Sequence, residues 1–265
     1  MAEVNETRNA GTPAPSEPAS ARTGVGAWIT GVFLDPRGTF EGIAGSLERP
    51  HPKDPAKTKD MSKWWLPLII AIIVGVGIAL YTVPTFIAPM QEDAIREAVM
   101  ERGGTEADVQ QAMSISGAMM LPSTIIGVIV VTLIIVFLMA GVTHLLMKML
   151  GGKGRFRHAR AVIAWSMLIS TLGSLVKLPI MIAKNSIIVE TGPSLFFKDL
   201  EPSDQLFKLL STFDIFTIWG MIVTAVGLAV VYRVSAGKAW VAVAVLWILL
   251  MIVTTFSPGG MGAGM

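Results

Sequence analysis

The 265-residue chain contains no cysteine. Disulfides, thiolate metal centres and cysteine nucleophiles are therefore excluded. Charge is scarce as well. Asp, Glu, Lys and Arg make up 15% of the residues, against about 25% in an average soluble domain. A net charge of +2 does not suit a basic nucleic-acid binder, and no nucleic acid is expected as a partner. No nucleophile elbow, zinc-helix motif or clustered carboxylate pair occurs. A non-enzymatic protein without a cofactor is the expectation. His51, His144 and His158 lack the acidic or thiol neighbours of a metal site. No cleavable leader is visible, because the first long apolar run starts near Trp64. Met1-Ala2 lacks the glycine that myristoylation requires. No internal repeat is found, so an inverted-repeat transporter is not supported.

What the chain has in abundance is apolar sequence. Hydrophobic residues make up 52%, and the mean hydropathy is +0.63. A spanning helix needs about 20 mostly apolar residues. Five runs qualify: Trp64 to Ile87, Leu121 to Met147, Ala161 to Ala183, about Leu209 to Val231, and Ala239 to Phe256. None shows the alternation of a barrel strand. The expected fold is an all-α membrane protein of five transmembrane helices, preceded by an interfacial amphipathic helix. The organisation reads as a disordered tail over 1–25, a cytoplasmic amphipathic segment over 26–63, the five-helix domain over 64–256 and a flexible tail over 257–265. Arg233 to Lys238 is short enough to make the last two spans an antiparallel hairpin.

Basic residues set the orientation. Eight precede the first span, and five lie between the second and third, from Lys148 to Arg160. The loop after the first span holds only Arg96 and Arg102, beside six acids from Glu92 to Asp108. That loop, Gln91 to Met120, reads as a short amphipathic helix with a turn at Gly103-Gly104. The alternation places the N-terminus in the cytoplasm and the C-terminus outside, in the cell (inner) membrane.

Three groups of residues are candidates for function. Asp35-Pro36 reads as a helix cap followed by proline at the first helical position. Phe40, Ile43 and Leu47 then recur at helical spacing, opposite Arg37 and Glu41. Pro36, Arg37, Phe40 and Ile43 are thus candidate lipid or partner contacts on a helix lying in the membrane interface. The alternative is a plain helix packed on the bundle. Gly151 to His158 is a glycine-rich basic turn without the strand or spacing of a P-loop. It reads as a flexible positive turn, with Lys153, Arg155 and Arg157 as candidate headgroup contacts. Lys177 and Asp214 are the charges well inside expected spans. Lys177 lies about 24 Å along its helix from Ala161 at 1.5 Å per residue, at the depth of Asp214. A direct pair joining two helices is one reading. Independent snorkelling and a proton or ion relay are the others.

The order of these features resembles the Yip-one domain family, the Ypt-interacting proteins and their bacterial relatives. The resemblance rests on Phe33-Leu34-Asp35-Pro36-Arg37-Gly38-Thr39-Phe40, on Leu150-Gly151-Gly152-Lys153-Gly154-Arg155-Phe156, and above all on Phe213, Asp214, Phe216 and Trp219 followed by Gly237-Lys238. It covers about Trp28 to Val253. Many relatives carry a proline early in the third span, where this chain has only the late Pro179. The resemblance implies a membrane-embedded scaffold or adaptor that engages lipid or partner proteins from the cytoplasmic face, and it names no catalytic residue. Membrane lipids, docking proteins and further copies of the chain are the partners expected. A transporter or channel component using Lys177 and Asp214 is the rival reading.

Overall fold

The computed structural model describes residues 24–51, 54–58, 60–189, 191–197, 200–201 and 204–256. The expected tails therefore lie outside the described residues, apart from Gly24 and Val25. Lys53 and Lys59 of the basic run lie outside them too. The fold is helical: α1 (Val25–Leu34), α2 (Pro36–Leu47), α3 (Trp65–Thr82), α4 (Ala88–Glu101), α5 (Glu106–Met149), α6 (Phe156–Lys184), α7 (Gln205–Ser211), α8 (Ile215–Tyr232) and α9 (Ala236–Phe256). A two-stranded ribbon, Pro50–His51 with Asp54–Thr58, is a small addition that the sequence reading did not contain.

Among the described residues, four helices are long and apolar enough to cross a membrane: Trp65–Glu101, Glu106–Met149, Phe156–Lys184 and Ile215–Tyr232. The first is α3 and α4 joined without a break. A π-turn over Val83–Ile87 absorbs Pro84 between them, since a widened turn accommodates a missing N–H. The helix then continues through the acidic stretch to Glu101. Gly103, at φ +75°, makes the expected turn. Thr105 and Asp108 then cap α5 reciprocally. What was expected as a loop is therefore a helical hairpin, because a strong capping box starts α5 15 residues before its apolar run.

The fourth expected run breaks. Leu209 and Leu210 belong to the short α7, and α8 begins only at Ile215. Asp214 causes the break. Its carboxylate accepts from the N–H groups of Phe216 and Thr217 at 2.6 and 3.2 Å, which is helix capping rather than helix continuation. The expectation that Asp214 lies inside a span is thus corrected to its head.

The largest departure concerns the N-terminal segment. Asp35 caps α2, accepting from Gly38 at 3.0 Å, with Pro36 at the first helical position as expected. But α2 does not lie across the bundle. Phe33 meets Trp219 with ring centroids 5.8 Å apart. Phe40 packs at Gly227 and Val162. Glu48 pairs with Arg233. The segment therefore runs alongside α8 for 14 residues, about 21 Å at 1.5 Å per residue. A helix flat in the headgroup layer would cross α8 once. Phe40, Ile43 and Leu47 are fully buried, so Phe40 and Ile43 are removed as lipid or partner contacts. Their apolar face is covered by α6 and α8 instead. Trp28 and Val32 of α1 are buried in the same core, where Trp28 meets Trp165 edge-on at 5.6 Å. Pro36 is half-buried and Arg37 exposed, paired with Glu41.

Candidate functional site

Two polar assemblies sit at opposite ends of α8. At its head, Lys177 from α6 forms a direct ion pair with Asp214. The Thr191 hydroxyl donates to the same carboxylate at 3.0 Å. This contact is the one the direct-pair reading describes. Both side chains are largely shielded, at 19% and 7% exposure, so they are linked rather than separately snorkelling. Asp214 thereby joins α6, α8 and the connection between α6 and α7. Thr191 was not legible beforehand, because nothing local ties it to a residue 23 positions on.

Neighbouring residues hold that connection tightly. A Cβ on Gly192 would sit 2.1 Å from the Phe213 carbonyl oxygen. Backbone cannot move aside as a side-chain tip can. Gly192→Ala should therefore separate the connection from the head of α8 and destabilise by about 1–3 kcal/mol. Thermal unfolding in detergent checks this, and an unchanged midpoint would refute the contact. Phe216 closes on Gly173, where an added Cβ would come within 2.7 Å of its ring. Phe213 stacks edge-on against Trp247 of α9 at 4.7 Å. Trp219 holds Phe33.

At the far end of α8, Tyr232 organises the glycine-rich turn. Its ring leaves no room for a Cβ on Gly152 or Gly154, which would approach within 2.8 and 2.7 Å. Its carbonyl accepts from the Lys153 N–H at 3.2 Å. Its hydroxyl lies 2.7 Å from His144 Nδ1 and donates to the Arg155 carbonyl at 3.4 Å. Gly151 adopts φ +83°, a conformation glycine takes without strain. The turn expected to be flexible is thus moulded on a buried ring. Tyr232 was missed because 88 residues separate it from His144. Lys238 donates to the Leu150 carbonyl at 2.9 Å, tying the α8–α9 turn to the α5–α6 turn. Gly237 faces open space. His144, expected as an interfacial polar residue, is a member of this network.

Arg160 pairs with Asp60 at 2.7 Å and covers the Trp64 ring at 4.1 Å. Trp65 and Trp240 are exposed, whereas Trp64 packs edge-on against Phe137 with ring centroids 5.7 Å apart. Among the described residues no group of three or more His, Asp or Glu could hold a metal ion.

The aspartate-phenylalanine-tryptophan head, its lysine-bearing turn and the proline-phenylalanine segment are therefore parts of one packed unit. The Yip1 domain model matches residues 30–257. The chain belongs to the Yip1 domain family. It is 26% identical over 257 residues to the membrane protein YknW of Bacillus subtilis (strain 168), covering 96% of each chain. No solved structure matches it. With its long apolar helices, it is a multi-pass membrane protein.

Proposed function

We propose that this Yip1-domain protein is a non-enzymatic scaffold or adaptor of the cell (inner) membrane. It engages lipid or partner proteins from the cytoplasmic face. In this reading α9 is the fifth span, the N-terminus is cytoplasmic and the C-terminus is outside. The basic alternation of the connections supports that orientation. Further copies of the chain are also partners in this reading.

The observation that carries it is the use made of Asp214. Its carboxylate takes two backbone N–H groups, the Thr191 hydroxyl and the Lys177 ammonium. A relay or substrate-binding carboxylate needs lone pairs to exchange, and these are committed to joining helices. The transporter or channel reading would require breaking that joint in each cycle. The surface left for recognition at the cytoplasmic end is outside it: the basic turn at Lys153 and Arg155.

Photocrosslinking in cells from positions 153 and 155, with mass spectrometry of the adducts, tests the proposal. Discrete protein partners, recovered reproducibly from either position, are the expected result. Capture of self-copies alone, with solute flux in proteoliposomes abolished by Asp214→Asn, would replace the scaffold with a transporter.

A further inference from the structure

A cleft of about 360 Å³ opens where the end of α2, the α5–α6 turn and the end of α8 meet. Among the described residues, Lys153, Arg155, Arg157 and Arg233 line it, together with His158 and one carboxylate, Glu48. Four formal cations among them thus face one anion. Glu48 is already engaged, since both its oxygens accept from Arg233, at 3.0 and 2.8 Å. Arg157 is different. Its Nε is buried and has no hydrogen-bond partner among the described residues. A buried donor left unpaired is costly, and an arginine N–H can be satisfied only by an acceptor.

The surroundings select the kind of acceptor. The cleft adjoins the N-terminus of α6, a 29-residue helix with Arg155 at its N-cap position, so the helix dipole adds positive potential there. The floor is preformed, because Gly152, Gly154 and the Lys153 N–H are held against Tyr232. A tetrahedral oxyanion rich in acceptor oxygens meets these demands, and guanidinium forks match those oxygens.

We infer that this cleft is a binding site for a phosphate group, carried by an anionic lipid headgroup or present as free phosphate. Glu48 acts as a built-in competitor by occupying Arg233. The inference rests on the cleft and not on the scaffold reading, so failure to crosslink a protein partner would leave it standing.

The test uses the full chain in two arms. In the first, native mass spectrometry measures retention of phosphatidic acid, phosphatidylglycerol and phosphatidylcholine. In the second, calorimetry titrates inorganic phosphate into protein held in phosphatidylcholine nanodiscs. A lipid source predicts at least tenfold preference for phosphatidic acid over phosphatidylcholine, falling at least fivefold in Arg157→Gln. A free-phosphate source predicts saturable phosphate binding, weakened to a similar degree, without lipid preference. In either case Glu48→Gln should tighten binding several-fold by releasing Arg233. That gain cannot come from misfolding, and Lys153→Gln gives a second loss at an exposed side chain. Absence of both lipid preference and phosphate binding would overturn the inference. So would binding that none of the three substitutions changes.

Discussion

Phe40→Ala should lower the unfolding midpoint of the purified protein by on the order of 10 °C. The ring is fully buried and fills the space beside Gly227 and Val162. Truncating such a phenylalanine removes its transfer energy and leaves a cavity, at about 3–5 kcal/mol. The neighbours cannot close in easily, since Gly227 has no side chain to extend. The complementary change, Gly227→Val, adds atoms where a Cβ would already lie 2.8 Å from the ring. It should destabilise as well, by about 1–3 kcal/mol. The two sites touch, so their effects should not add. A helix floating in the lipid interface predicts otherwise. There Phe40→Ala would change headgroup contacts and leave bundle stability where it was. Thermal or denaturant unfolding in nanodiscs distinguishes the two outcomes.

Asp214→Ala should cost about 3–5 kcal/mol, the range for removing one partner of a shielded ion pair. Two losses combine in it. Lys177 is left without its carboxylate, and the N–H groups of Phe216 and Thr217 lose their cap. Asp214→Asn separates these losses. Asparagine caps a helix about as well as aspartate, so it should cost less than alanine while still breaking the ion pair. Lys177→Met removes the other partner but leaves the carboxylate with three donors. A double-mutant cycle between positions 177 and 214 should give a coupling of about 1–3 kcal/mol. Denaturant titration of the four proteins measures it. Zero coupling, or Asp214→Asn as stable as the parent, would mean the two charges do not act on one another.

Much of this architecture is legible in the residues because its signals are local. Gly103-Gly104 turns where two polar helix ends meet, and Asp35-Pro36 starts a helix by capping chemistry alone. The depth of Lys177 follows from helical rise and matches that of Asp214, which makes their meeting one of three readings. The misjudged parts depend on what covers a surface. Phe40, Ile43 and Leu47 declare an apolar face, but lipid and a helix groove are equally apolar. Only the absence of a side chain at Gly227, 187 residues later, creates the socket. Leu209 and Leu210 lengthen the apolar run before α8, and hydropathy cannot see that Asp214 stops the helix between them and Ile215. The basic turn shows its charge in sequence. Its rigidity comes from Tyr232, which sits at the end of a distant helix with no nearby motif.

The helices α1 and α2 are built into the bundle, so that the protein presents a rigid unit rather than a tethered lipid-seeking arm. Nuclear Overhauser contacts from the Phe40 ring, in protein labelled at valine methyl groups and held in deuterated-lipid nanodiscs, test it most directly. Cross-peaks to the Val162 methyls are the predicted result, since a Cβ on Gly227 would sit within 2.9 Å of both the ring and a Val162 methyl. Their absence, with contacts to acyl-chain protons when protonated lipid is substituted, would place α2 in the membrane interface and contradict the account.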